Sequence, residues 1–174
     1  MKNKKLTTRE IVLLAVYAAL FLALELIQNQ FAFFKMANGG SWSISVVILM
    51  LASYHLGWKK GVYISLISVV LQFLSGDMYL ATGIFGFVLD YVLGYGVYGL
   101  AVLFPNYKFV YTGVFMANLL RFILSTISGM LFYKTGLIGS MAYNSTYMIP
   151  TLLTSMVLVP LIHSRLKKLN LMER

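Results

Sequence analysis

The stretch "GIFGFVLDYVLGYGVYGLAVLF", residues 83–104, decides how the chain is to be read. It is long and apolar enough for a membrane-spanning helix, since a hydrocarbon core of ~30 Å takes about 20 apolar helical residues. Yet it carries a carboxylate, Asp90, near its middle. A charge at mid-bilayer costs at least ~2.5–3.5 kcal/mol on insertion scales, so it needs a partner, water or a ligand. At α-helical spacing Asp90 and Gly94 share a face, whereas Asp90, Tyr91 and Tyr95 do not fit one narrow stripe. The glycine permits close approach of a helix or of a ligand.

The rest of the chain repeats the apolar theme. Of its 174 residues 60% are hydrophobic and 11% charged, with a mean hydropathy of +0.82, far from the balance of soluble domains. The expectation is an all-α integral membrane protein forming a single membrane domain over residues 1–174. Six spans are predicted, at roughly 8–28, 43–57, 61–75, 83–104, 110–133 and 143–163. The second and third are short, meet at "GWKKG", and read equally as a tight helical hairpin. Long continuous runs without period-2 alternation argue against a β-barrel. The basic start "MKNKKLTTRE" reads as the flank of a retained first span, because no small-residue cleavage site follows it.

The net charge of +9 lies in segments between the apolar runs, which speaks for topology and against nucleic acid. Lys2, Lys4, Lys5, Arg9, Lys59, Lys60, Lys108, Arg165, Lys167, Lys168 and Arg174 fall on one side, Lys35 and Lys134 on the other. The positive-inside rule then puts both termini in the cytoplasm. With no cysteine in the chain, disulfides and thiolate chemistry are excluded. No phosphate loop, H-E-x-x-H or Ser/His/Asp set is present, so no catalytic residue, metal or cofactor is expected and any ATPase must be another chain.

Beside Asp90, the intramembrane polar groups are Glu25, Asn118 and Arg121. Arg121 either neutralises Asp90 or Glu25 or serves a ligand. "LSTISG", residues 124–129, puts Ser125, Ser128 and Gly129 on one face, and "YNSTYMIP", residues 143–150, does the same for Asn144 and Tyr147. For Asn144 a helix cap is the plain alternative. The outer segments "NQFAFFKMANGGSW" (29–42), "SGDMYLAT" and "YKTGLIGSMAYNSTY" connect spans, and the first, with two glycines, suits a lid. In span one, Ala15, Ala19 and Ala23 recur every four residues, a ridge for internal packing or for docking another membrane subunit.

Taken together, "LTTREIVLLAVYAALFLAL", "GGSWSIS", "LDYVLGYGVYGLAVLF", "RFILSTISG" and "YNSTYMIP" resemble, in order and spacing over nearly the whole chain, the substrate-binding S components of energy-coupling factor (ECF) vitamin transporters, nearest to the thiamine-specific branch. The resemblance implies a six-helix bundle in a bacterial plasma membrane. It implies a vitamin held near the outer face under the loop after the first helix, and delivery by association with a transmembrane coupling protein and two cytosolic ATPases. The alanine ridge then meets the coupling protein. Residue by residue, the branch's acidic-aromatic pair falls on Asp90 and Tyr91, with Asp for the usual Glu. The aromatic of its "GGS" loop is Trp42, and the asparagine of its "YNGSY" motif is Asn144, with Tyr147 and Pro150 in place. Ser125 stands for a histidine, Tyr133 for a tryptophan, Gly139 for a tyrosine and Thr151 for an acid. Such a pocket suits a small flat nitrogen ring, through charge-assisted bonds to the acid and aromatic walls: thiamine, a vitamin B6 form such as pyridoxine or pyridoxal, or a thiamine-precursor pyrimidine. The alternative is a proton-coupled secondary transporter acting alone through Glu25 or Asp90.

Overall fold

The computed structural model describes residues 6–31, 35–36, 39–76, 78, 83–108 and 110–168. Lys2, Lys4, Lys5 and Arg174, parts of the 29–42 loop and most of "SGDMYLAT" lie outside the described residues. Six helices follow one another: α1 (Thr8–Asn29), α2 (Val46–Leu56), α3 (Trp58–Ser75), α4 (Gly83–Leu103), α5 (Thr112–Phe132) and α6 (Leu137–Lys168). A two-residue hairpin, β1 (Asn106–Tyr107) with β2 (Val110–Tyr111), joins α4 to α5.

Each helix begins and ends for local reasons. Thr7 and Glu10 form a capping box at the start of α1, with Thr7 N donating to Glu10 Oε2 at 2.8 Å and two orphan donors satisfied at once. Glu10 also pairs with Lys60 of α3. Gly57, at φ 85°, makes the one-residue corner between α2 and α3, a conformation open to glycine. So "GWKKG" is a tight helical hairpin, with α3 starting at Trp58 rather than 61.

Helices α1, α4, α5 and α6 are long and apolar enough to cross a membrane. With 11 residues, α2 extends only about 16 Å at 1.5 Å per residue, half of a hydrocarbon core. It is a core helix: every residue from Val46 to Ser53 but Ile48 is buried. In lipid there is no hydrophobic drive between helices, and close packing at small residues replaces it. Ser53, Gly61 and Gly99 supply that contact. A Cβ on Gly61 would come 2.8 Å from the Gly99 carbonyl oxygen, and Ser53 Oγ donates to the same oxygen at 2.6 Å.

The burial pattern is inverted relative to a soluble protein. Ile11, Val16, Leu20, Phe85, Leu131, Leu153 and Val157 are among many exposed apolar side chains, while Glu25, Gln28, Gln72, Asn118, Arg121 and Asn144 are buried. That is the arrangement of a chain whose solvent is lipid and whose polar groups line its interior. The chain is therefore a multi-pass helical membrane protein.

Two helices depart from expectation. α6 begins at Leu137, six residues before the anticipated start at 143, and runs through Pro150 and Pro160. Asn144 lies two turns inside it, which removes the capping role. α4 is not a uniform α-helix: Val88–Leu93 is a π turn and Val97–Leu103 a 3-10 segment. The Gly94 N–H reaches back to the Leu89 carbonyl, five residues away, so the ladder widens at Asp90.

A cavity between the kinked helix, α5 and α6

A cavity of about 450 Å³ opens among α3, α4, α5, α6 and residues 35, 36 and 39–41. Its α4 wall carries Asp90, Tyr91 and Tyr95. All three face one cavity, although adjacent Asp90 and Tyr91 still point in different directions around the helix. Residues five apart are well separated around an α-helix but come close to eclipse in an i→i+5 ladder, and the π turn begins just before Asp90. The rings form a column, with Phe87 stacked on Tyr91 at 5.9 Å and Tyr91 parallel to Tyr95 at 6.3 Å and 2°. Tyr98 meets Tyr95 edge-on.

The α5 wall supplies Arg121, Ser125, Gly129 and Tyr133. Ser128 Oγ donates to Asp90 Oδ2 at 2.5 Å, and Ser125 lines the same cavity. The acid is thus held by a serine from the face that the sequence singled out. Arg121 does not pair directly with Asp90 or Glu25: its Nη1 donates to the Tyr98 hydroxyl at 3.1 Å, and its guanidinium lies 4.2 Å over the Tyr95 ring. Glu25 accepts instead from Ser45 Oγ. One turn on, Gln28 Oε1 accepts from the Ile44 and Ser45 N–H groups, both at 2.9 Å, and Gln28 Nε2 donates to the Trp42 carbonyl at 2.7 Å. Glu25 and Gln28 together fasten residues 42–45 to α1.

From α6 come Gly139, Ser140, Tyr143, Asn144 and Tyr147. The Tyr147 hydroxyl donates to Asn144 Oδ1 at 2.6 Å, and Ser140 Oγ donates to the Thr126 carbonyl at 2.9 Å. Gly129 lies so close to Ser140 that a Cβ there would overlap its hydroxyl. Thr151, where an acid was expected, faces the 42–45 segment and accepts from Ser43 N at 3.0 Å.

One side is bordered by Lys35, Met36, Gly39, Gly40 and Ser41. Lys35 and Ser41 form an antiparallel bridge, and Met36 N donates to the Gly40 carbonyl at 3.0 Å. Gly39 and Gly40 have φ of 85° and 87°. The Tyr143 hydroxyl donates to the Gly39 carbonyl at 2.8 Å, and the Tyr147 ring lies under Gly40 where a Cβ would come within 2.7 Å. Trp42 stands apart from the cavity lining: its indole N–H donates to Thr154 Oγ1 at 3.1 Å, which pins the base of this loop to α6.

Of the residues named from sequence, Asp90, Tyr91, Ser125, Tyr133, Asn144 and Tyr147 line one cavity. Ala15, Ala19 and Ala23 lie far from it in role, all three exposed along the outer face of α1. Sequence reasoning placed Ser128 on a polar face without assigning it to the site, and missed Tyr95, Ser140 and Tyr143 as site residues. The serine face 125, 128 and 129 was the only signal for Ser128, and the parallel tyrosines have none until the π turn is known.

The comparisons with known proteins agree with this picture. A family model described as thiamine transporter protein (Thia_YuaJ) matches residues 14–171. The thiamine transporter ThiT of Bacillus subtilis (strain 168) is 25% identical over 170 residues, covering 86% of this chain and 87% of that protein. Since the match takes in five of the six helices whole, α1 from residue 14 onward and every residue around the cavity, the chain belongs to the thiamine transporter protein family.

Proposed function

We propose that the chain is the substrate-binding S component of an ECF-type transporter importing a small aromatic nitrogen-ring vitamin, thiamine before others. The observation that carries this reading is Asp90: a carboxylate on a π turn, oriented by Ser128 and flanked by parallel tyrosines, facing a cavity in a thiamine transporter family chain. Asp90 would accept hydrogen bonds from a ring amine or offset a ring cation, in a site where low dielectric strengthens both. Tyr91 and Tyr133 offer flat faces, Asn144, Tyr147 and Ser125 position the ring's polar edges, and Trp42 acts by anchoring the lid loop 29–42.

A second ligand reading is favoured by a specific observation. Ser125, Gly139 and Thr151 replace bulkier or charged groups of the branch, and Thr151 is spent on Ser43 N. A smaller ring, pyridoxine, pyridoxal or a thiamine-precursor pyrimidine, suits that reduced set. Calorimetric titration of the purified protein without ATP, using thiamine, pyridoxine, pyridoxal and 4-amino-5-hydroxymethyl-2-methylpyrimidine, tests both. At least one should bind, and Asp90→Asn should weaken it about 10- to 100-fold, the loss of a hydrogen bond to a charged group. Unchanged affinity would remove Asp90 from the site. Failure of all four to bind would overturn the vitamin reading.

Delivery inward is assigned to a coupling protein and two ATPases, with both termini cytoplasmic. The exposure of Ala15, Ala19 and Ala23 supports a docking face on α1. Uptake into liposomes driven by a proton gradient, with this chain alone, would support the self-sufficient transporter instead.

A further inference from the structure

Arg121 is the group in the cavity that the vitamin reading leaves unused. It sits on α5 seven residues before Ser128, about 10 Å deeper along the helix, and so forms the floor beneath the acid. The residue is 7% exposed and lines the cavity. A guanidinium carries five N–H donors and no acceptor. One is used, from Nη1 to the Tyr98 hydroxyl, and among the described residues Nε has no hydrogen-bond partner. Among them, no hydrogen bond joins the guanidinium to Asp90, whose carboxylate accepts from Ser128.

A buried charged donor left without an acceptor is destabilising. Here the guanidinium plane is fixed from one side by the Tyr95 ring at 4.2 Å and by Tyr98 at 5.5 Å. Such a clamped fork loses little freedom when an acceptor arrives. The cavity therefore offers opposite charges at two levels, a carboxylate above and a guanidinium below, joined along one side by the stacked tyrosines.

We propose that Arg121 is a specificity-determining contact, and that the ligand is bipolar: a ring amine or ring cation meets Asp90 while an oxygen acceptor on a side arm, a hydroxyl or its phosphate ester, meets Arg121. This rests on the cavity being the vitamin site and adds what the ligand must carry at its far end.

The test compares each vitamin with its deoxy analogue: thiamine with the analogue bearing ethyl for hydroxyethyl, and pyridoxine with 4-deoxypyridoxine and 5-deoxypyridoxine. Calorimetry on the wild-type protein should show the oxygen-bearing ligand about 10- to 100-fold tighter, the range for a hydrogen bond to a charged partner. Arg121→Gln should reduce that preference to within about threefold while the deoxy analogue binds as before. Thiamine monophosphate and pyridoxine phosphate separate the two oxygen sources: the ester is the natural partner if it binds more tightly than the alcohol and loses more in Arg121→Gln. Should Arg121→Gln fail to fold, the arginine side-chain ¹⁵N resonances of the wild-type protein give the answer, since they should shift with the vitamin and stay in place with the deoxy form. Equal weakening of both ligands in the variant, or equal shifts, would overturn the proposal and leave the vitamin site standing. If no vitamin of the set binds the wild-type protein, the site and this inference fall together.

Discussion

At the level of single residues, the intramembrane polar groups divide into two kinds of work. Glu25 and Gln28 are four and seven residues beyond Phe21 on the buried stripe of α1, and both are consumed by the 42–45 segment. That segment enters the core just before α2 and would otherwise leave its N–H groups without acceptors. Gln28→Ala should therefore strip acceptors from Ile44 N and Ser45 N together. Each buried unsatisfied donor costs about 1–3 kcal/mol, so a loss of several degrees in the thermal unfolding midpoint in detergent is expected, with ligand affinity reduced only through the loosened loop base. An unchanged midpoint would show that water replaces the amide. Asp90 belongs to the other kind: Ser128 orients it, and among the described residues no counter-charge is in direct contact. The sequence marked both acids as anomalous for the same reason, intramembrane position. It did not separate them, because the difference lies in what the loop between α1 and α2 needs.

At the level of elements, α4 carries the main departure from what the sequence foretold. Its limits, 83–103, agree closely with the apolar run, since length and hydropathy decide where a span lies. Its internal geometry was illegible. A π turn leaves no periodic signature over six residues, and it arises from tertiary constraint: Gly94 allows the backbone to come near the Leu89 carbonyl, where a Cβ would stand 3.2 Å away. The same limitation explains the start of α6. Polar residues and two glycines over 134–142 read as a loop, yet Ser140, Asn144, Tyr147 and Thr151 fall at one-face spacing and are all buried. Deleting Val92 should return the ladder to α geometry and rotate Asp90 away from Tyr95. Ligand affinity should fall at least about tenfold, as for a lost charge-assisted bond, while far-UV circular dichroism keeps the same helix content. Full affinity in the deletion variant would show that the π turn is incidental to the cavity.

At the level of the whole molecule, the helices are partitioned by what they face. α4, α5 and α6 turn polar and aromatic side chains to the cavity, whereas α1 uses a single stripe, Tyr17, Phe21, Glu25 and Gln28, to hold the core. The remainder of α1 is outward, with Ala15, Ala19 and Ala23 lying among exposed Ile11, Val12, Val16 and Leu20. Internal packing, the plain explanation of the alanine ridge, is thereby excluded for these side chains within this chain. A lipid-facing surface alone has no use for small residues at every fourth position, because acyl chains fill whatever relief the helix presents. A second helix does have such a use, since small side chains let backbones approach closely. Ala19→Trp puts a bulky indole at the centre of the ridge, on a surface with no contact to the cavity. Vitamin binding to the isolated chain should stay within about twofold of the parent, because exposed substitutions away from core features usually change stability by less than ~0.5 kcal/mol. Uptake by vesicles holding the chain with the proposed coupling protein and ATPases should be abolished. Undiminished uptake would mean that another face of the molecule makes the docking contact.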